Sequence, residues 1–130
     1  FKLKSYDKVI LRRRNIAQMY QEKLEHLEEL QLPPSPSSSL DNFDVFQNYE
    51  LLAKNRDKLK EYLAKNKIGT LIQWGGLGVH QFTQLGFTQV LPKTEKFFEN
   101  CIMLPMNMFI SDDDIDYVCS KIIDFYRGND

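Results

Sequence analysis

The chain has 130 residues, 42% of them apolar and 27% charged, with a formal net charge of −1. That is enough chain for one domain with its own core, in the balance of a soluble globular protein. The near-neutral charge excludes an electrostatic case for nucleic acid or an anionic membrane surface, and no apolar run approaches the ~18 residues a spanning helix needs.

Leu3 to Leu30 reads as a long amphipathic helix. Leu3, Tyr6, Ile10, Ala17, Tyr20, Leu24 and Leu27 recur at three- and four-residue steps on one stripe, interrupted by Arg13. At about 1.5 Å per residue the stripe runs roughly 36 Å, against a radius of gyration of about 14 Å for a domain of this size. One end should overhang the core and meet another domain or another subunit. The chain also opens on Phe1 inside a helical pattern, so a piece of a longer protein is expected. Residues 1–32 are then a linking helix and 33–130 a small α+β domain.

The segment PPSPSSS, 33–39, reads as a solvated connector, although Pro33 and Pro36 also have the spacing of a proline-helix ligand. Phe43 to Ala53 is expected as a strand, Asn55 as the cap of a helix carrying Leu59, Tyr62 and Leu63, and Ile68 to Trp74 as a second strand. Strand, helix and strand in that order suit a crossover unit. A helical turn is expected over Gln81 to Leu85, closed by Gly86, and a helix opening at Pro92. A short strand follows over Ile102 to Leu104. A last helix is capped by Ser111 with Asp114 in the capping-box position. The fold class is α+β: a small sheet of about three strands with packed helices, preceded by a long amphipathic helix.

Several tempting motifs fail. Asp112, Asp113, Asp114 and Asp116 lack the Gly and Glu of a calcium loop, where Tyr117 and Ile123 stand instead. Acids there suit the positive end of a helix dipole. Gly76-Leu77-Gly78 has Gln81 in place of the third glycine of a dinucleotide turn. His26, His80, Cys101 and Cys119 have no zinc spacing, so no metal site is expected. The two cysteines sit among apolar residues and read as buried free thiols, which fits a cytoplasmic protein. No catalytic constellation is complete within the chain. Arg12, Arg13 and Arg14 read as helix-surface and interface charges.

The stretch IGTLIQWGGLGVHQFTQLGF, Ile68 to Phe87, starts as a strand, breaks on Gly75, Gly76 and Gly78, and restarts with His80 and Gln81. A strand that ends in glycines beside polar side chains is where a small domain would meet a ligand. With its flanks it resembles the C-terminal small domain of the DegT/DnrJ/EryC1/StrS sugar aminotransferases, of the fold-type I pyridoxal-phosphate transferases. YDKVILRRRNIAQMYQEKL (Tyr6 to Leu24) resembles the family helix. NRDKLKEYLAKNKIGTLIQW (Asn55 to Trp74) resembles its "RD-x-L … I-G" segment. HQFTQLGF (His80 to Phe87), LPKTEKFFENCIMLPMN (Leu91 to Asn107) and SDDDIDYVCSKIIDFY (Ser111 to Tyr126) follow in the family's order. QWGGLGVHQ departs from the aromatic-Pro-x-Pro-x-His run of many members.

The resemblance implies amino transfer from glutamate, through pyridoxal phosphate, to a nucleotide-linked keto sugar in lipopolysaccharide or other polysaccharide biosynthesis. A dehydratase of the same family, or a non-catalytic α+β interaction module, is the alternative. The Schiff-base lysine and phosphate contacts are expected in a missing N-terminal domain, so neither a catalytic nor a cofactor-binding residue is expected in this fragment. Trp74, His80 and Gln81 are the expected substrate-binding residues. A homodimer is the expected assembly.

Overall fold

In the computed structural model, which describes residues 2–37 and 43–128, the chain packs helices against a three-stranded antiparallel sheet. A 3-10 turn, Lys2–Ser5, leads into α1, Tyr6–Leu24. Strands β1, Leu30–Gln31, and β2, Tyr49–Ala53, are followed by α2, Arg56–Lys65. Three 3-10 turns, Gln73–Gly76, Val79–Gln81 and Thr83–Leu85, precede α3, Pro92–Asn100, β3, Cys101–Leu104, and α4, Asp112–Arg127.

Helix α4 forms as its sequence dictates. Ser111 Oγ accepts the Asp114 N–H at 3.1 Å, and Asp114 Oδ2 accepts the Ser111 N–H at 3.2 Å. Gly128, at φ 67°, ends the helix. Ile115, Val118, Cys119 and Ile122 are buried against α1 and α2. On α1 the stripe divides. Ile16, Ala17, Tyr20 and Leu24 are fully buried in the common core, whereas Tyr6 is 48% and Leu11 61% exposed.

Helix α1 stops at Leu24, short of the expected Leu30, although no Gly or Pro intervenes. Leu27 turns inward to 6% exposure, and Leu30 and Gln31 pair with Ala53 and Leu52. Burial and strand pairing override local helix propensity here. The expected strand from Phe43 is real only over Tyr49–Ala53. Phe46, at φ 49°, bends the chain, and its N–H is held by Asp44 Oδ1 at 2.7 Å, an Asx-type turn.

The expected strand Ile68 to Trp74 shrinks to one bridge, Leu71 to Met103, and the crossover does not form. Instead β2 and β3 are direct antiparallel neighbours, with Tyr49 opposite Leu104 and Leu52 opposite Cys101. Asn55 precedes α2 at φ 55° without a side-chain capping bond. The connector at 33–37 is irregular; Ser38 and Ser39 lie outside the described residues, as does the side chain of Leu3.

The three arginines of α1 point to different segments because successive helix positions are about 100° apart. Arg12 binds Asp112 Oδ1 at 2.6 Å and the Ile110 carbonyl at 2.5 Å. Arg13 reaches the Gln47 carbonyl at 2.8 Å. Arg14 reaches the carbonyls of Asp44 and Pro36 and lies 4.1 Å from the centre of the Phe43 ring. They act as clamps between the helix and its neighbouring loops.

In the core, the Tyr20 and Tyr49 rings lie 4.8 Å apart. Tyr20 gives its hydroxyl hydrogen to the Pro105 carbonyl at 2.8 Å, while the buried Tyr49 hydroxyl has no partner among the described residues. Removing a made hydrogen bond costs about 1 kcal/mol, whereas removing an unsatisfied buried hydroxyl costs nothing or stabilises. Urea unfolding should therefore show Tyr20→Phe destabilised and Tyr49→Phe equal to or above wild type. Equal losses in both would refute the assignment.

Both cysteines are free and buried. Burial pushes the Cys119 thiol from 9.0 up to about 12, and burial and then Glu50 raise that of Cys101. A thiol whose folded value is raised stabilises the fold below its unfolded value and loses that contribution as pH rises toward the folded one. Stability should thus fall progressively from pH 9 toward about 12. At neutral pH neither thiol should react with a disulfide reagent until denaturant is added. Rapid labelling of the native chain would contradict this.

Candidate functional site

After the bridge at Leu71 the backbone enters an unusual turn. Trp74, Gly75 and Gly76 have φ values of 51°, 66° and 81°. Glycine occupies this left-handed region freely, but a tryptophan there costs about 1–2 kcal/mol. Gly76 also sits close: a Cβ would stand 3.4 Å from Ile72 Cγ2 and 3.7 Å from the Phe98 carbonyl oxygen.

Trp74 gains no core burial in return. It is 77% exposed, so it does not pack in the core of this domain. Leu71, Leu77, Val79, Phe82, Leu85, Val90 and Leu91 are exposed too, which concentrates large apolar side chains along 71–91. Such a patch marks a surface that meets something else.

A cleft of about 510 Å³ opens beside this turn, walled by Trp74, Leu77, Gly78, His80, Phe82 and Phe98, among others. A larger hollow of about 680 Å³ lies between the β1–β2 edge and α3, but its lysines are exposed, Lys54 on the turn after β2 and Lys93 and Lys96 on α3. The smaller cleft carries the strained aromatic and the buried histidine, so it is the candidate site.

The expected residues divide. Trp74 and His80 share the cleft wall; Gln81 lies outside its lining, beside a smaller hollow with Phe82 and Thr83. His80 is only 6% exposed, with Nε2 3.2 Å from Glu95 Oε1. Gln81 is exposed, and its Oε1 accepts the Gly78 N–H at 2.8 Å. The donor identifies the amide oxygen as the bonded atom.

Sequence reasoning missed Gly78 as a contact residue, Glu95, Phe98 and Arg56. Arg56, 9% exposed, donates Nη1 hydrogens to the carbonyls of Phe98 at 3.0 Å and Cys101 at 2.7 Å, and its Nε–H to Asp57 Oδ1 at 2.7 Å. It fixes the junction of α3 and β3. The Arg-Asp pair opening α2 was the available signal, since acids belong in a first helical turn and the arginine needed another reason.

The cleft does not fit pyridoxal phosphate as a resident. That cofactor needs a lysine for covalent attachment and an acid for its ring nitrogen. No lysine lines the cleft, and from Lys4 onward each is exposed except Lys23 and Lys121, which pair with Asp116 and Asp124. Glu95 is engaged by His80. No group of three metal-ligating side chains converges among the described residues. Nor is any described helix long and apolar enough to cross a membrane.

Known proteins resemble this chain across nearly its whole length. It is 33% identical over 89 residues to a pleiotropic regulatory protein of Geobacillus stearothermophilus, a match covering 65% of this chain and 24% of that protein. The aminotransferase TlmJ from Streptoalloteichus hindustanus superposes with a TM-score of 0.85 at 22% identity, over 98% of this chain and 34% of that one. DesI, solved in the presence of its TDP-sugar product, superposes with a TM-score of 0.81 at 24% identity, over 97% and 33%. These likenesses fix the fold, and the chain spans about a quarter to a third of such relatives. The model of the DegT/DnrJ/EryC1/StrS aminotransferase family matches residues 1–123, and the chain belongs to that family.

Proposed function

We propose that this chain is the small domain of a longer pyridoxal-phosphate aminotransferase, in which it walls the acceptor side of the active-site cleft. The reaction would move an amino group from glutamate to a nucleotide-linked keto sugar, for lipopolysaccharide or another polysaccharide, in the cytoplasm. The observation that carries this reading is Trp74: an exposed indole held in a left-handed turn on the wall of a cleft. An aromatic face in that position suits the apolar face of a sugar ring. The sugar class is supported by the TDP-sugar product named for DesI.

Cofactor and lysine would come from the remainder of the longer protein. The cofactor supplies the electron sink for amino transfer. This chain's part would be to orient the acceptor and exclude water. Trp74 would touch the sugar, with His80 and Gln81 shaping the turn beneath it. The exposed apolar side chains of 71–91 and those of the first half of α1 are surfaces for the large domain and a second subunit.

The test is kinetic. In the longer protein, Trp74→Ala should slow the keto-sugar half-reaction by roughly tenfold or more and spare the glutamate half-reaction. Equal losses in both would defeat an acceptor role. Trp74→Asn separates function from folding: asparagine tolerates the left-handed region, so unfolding free energy should stay level or rise by about 1 kcal/mol while acceptor turnover is lost.

The isolated chain should self-associate through the exposed half of α1, where Tyr6 and Leu11 lack cover. Sedimentation decides this. A strict monomer at high concentration, with the first turns of α1 protected from hydrogen exchange, would mean the domain satisfies its own helix.

A further inference from the structure

Glu95 joins two segments that sequence periodicity leaves apart. Its Oε1 accepts the Leu91 N–H at 3.1 Å, closing the first turn of α3, and lies 3.2 Å from His80 Nε2. A carboxylate has no proton to give, so the imidazole nitrogen is the donor. The ring therefore carries hydrogen on Nε2, whatever the state of Nδ1.

The neighbouring Cε1–Nδ1 edge of the ring is fixed as well. A Cβ on Gly78 would stand 2.6 Å from His80 Cε1 and 2.7 Å from Nδ1, so only glycine fits beneath the ring. Gly78 in turn gives its N–H to Gln81 Oε1. A continuous set of contacts thus runs from α3 through Glu95, His80 and Gly78 to Gln81. The segment it anchors has only short 3-10 turns and exposed apolar side chains of its own.

We infer that Glu95 is a positioning residue: by gripping His80 it holds the glycine turn against α3 and so sets where the Trp74 ring stands on the cleft wall. A buried imidazole N–H needs its acceptor, which gives the ring one low-energy seat. The structural part rests on geometry alone. The consequence for turnover rests on the proposed acceptor-facing role of Trp74.

The test uses the 130-residue chain, with hydrogen exchange at Gln81 and Phe82, whose amides close the 3-10 turn, and nitrogen-15 spectra of the His80 ring. Glu95→Ala and His80→Ala should each speed exchange at those amides roughly tenfold, and α4 amides should not change. Glu95→Gln keeps an acceptor oxygen and should stay within about twofold of wild type. The double variant Glu95→Ala/His80→Ala should be no worse than either single one, because one contact is lost once. In wild type the Nε2 should bear the proton at neutral pH.

Unchanged exchange in both single variants, additive losses in the double variant, or a Gln variant as loose as the Ala variant would overturn the inference. If Glu95→Ala unfolds the chain, His80→Ala and Glu95→Gln still decide, since both leave an oxygen acceptor for the Leu91 N–H. In the longer protein, a confirmed grip whose loss leaves the keto-sugar half-reaction unchanged would remove the acceptor role and leave the grip standing.

Discussion

Arg56 lies at the start of α2 with its guanidinium withdrawn from water and spent on the carbonyl oxygens of Phe98 and Cys101. A buried guanidinium without partners would be several kcal/mol unfavourable, so this geometry admits little slack. Asp57, next in sequence and largely exposed, supplies the countercharge at 2.7 Å. The two carbonyls lie where α3 ends and β3 begins. Whatever rests on α3 therefore inherits its position from Arg56. The Phe98 carbonyl takes the Arg56 hydrogen and passes 3.7 Å from the Cβ position of Gly76, while the Phe98 ring lies 3.3 Å from that of Gly78.

Local and global preferences conflict at Trp74. Asparagine or glycine would suit its backbone, and its side chain gains little from burial. Such a conflict persists when neighbouring contacts over-determine the conformation. Here the backbone is pinned on one side by the Leu71–Met103 bridge, with hydrogen bonds of 3.2 and 2.8 Å, and on the other by His80 on Glu95. The cost is local and about 1–2 kcal/mol, small beside the burial of Tyr20, Leu24, Leu59, Ile102, Ile115 and Ile122 in the core.

How much the sequence disclosed follows from which forces act locally. Helix α4 was legible end to end because its capping box, acidic first turn, apolar stripe and closing glycine are all local signals that agree. Helix α2 and strand β3 were legible for similar reasons, each being bounded by turn residues. The sheet was not. Leu30 and Gln31 carry no strand signal and are extended only because Ala53 and Leu52 lie opposite them. Ile68 to Trp74 carries a strong strand signal, yet left-handed residues at Lys67 and Trp74 bracket it and leave one bridge. Among the site residues, Trp74 and His80 stood out because an aromatic and an imidazole flank a run of glycines. Glu95 did not, because a glutamate in the first turn of a helix already has a sufficient local explanation. Its contact with His80 crosses the apolar loop between them and has no periodic signature.

The distribution of exposed apolar side chains sets what this chain does by itself. Along α1, burial is complete at Ile16, Ala17, Tyr20 and Leu24 and absent at Tyr6 and Leu11, although the helix is continuous across both halves. From Tyr6 to Leu24 the helix runs roughly 28 Å at about 1.5 Å per residue, and its buried residues all lie in its second half. The segment 71–91 repeats the pattern with shorter elements: ordered turns, apolar side chains, little cover. A monomer that paid the entropy of ordering both surfaces would recover little of it in apolar burial. The cleft between Trp74 and Phe98 has the same character, one wall built to a fixed shape with no attachment lysine along it. On the proposed reading, the firmly built wall would orient the acceptor, and the reactive groups of amino transfer would stand on a facing surface.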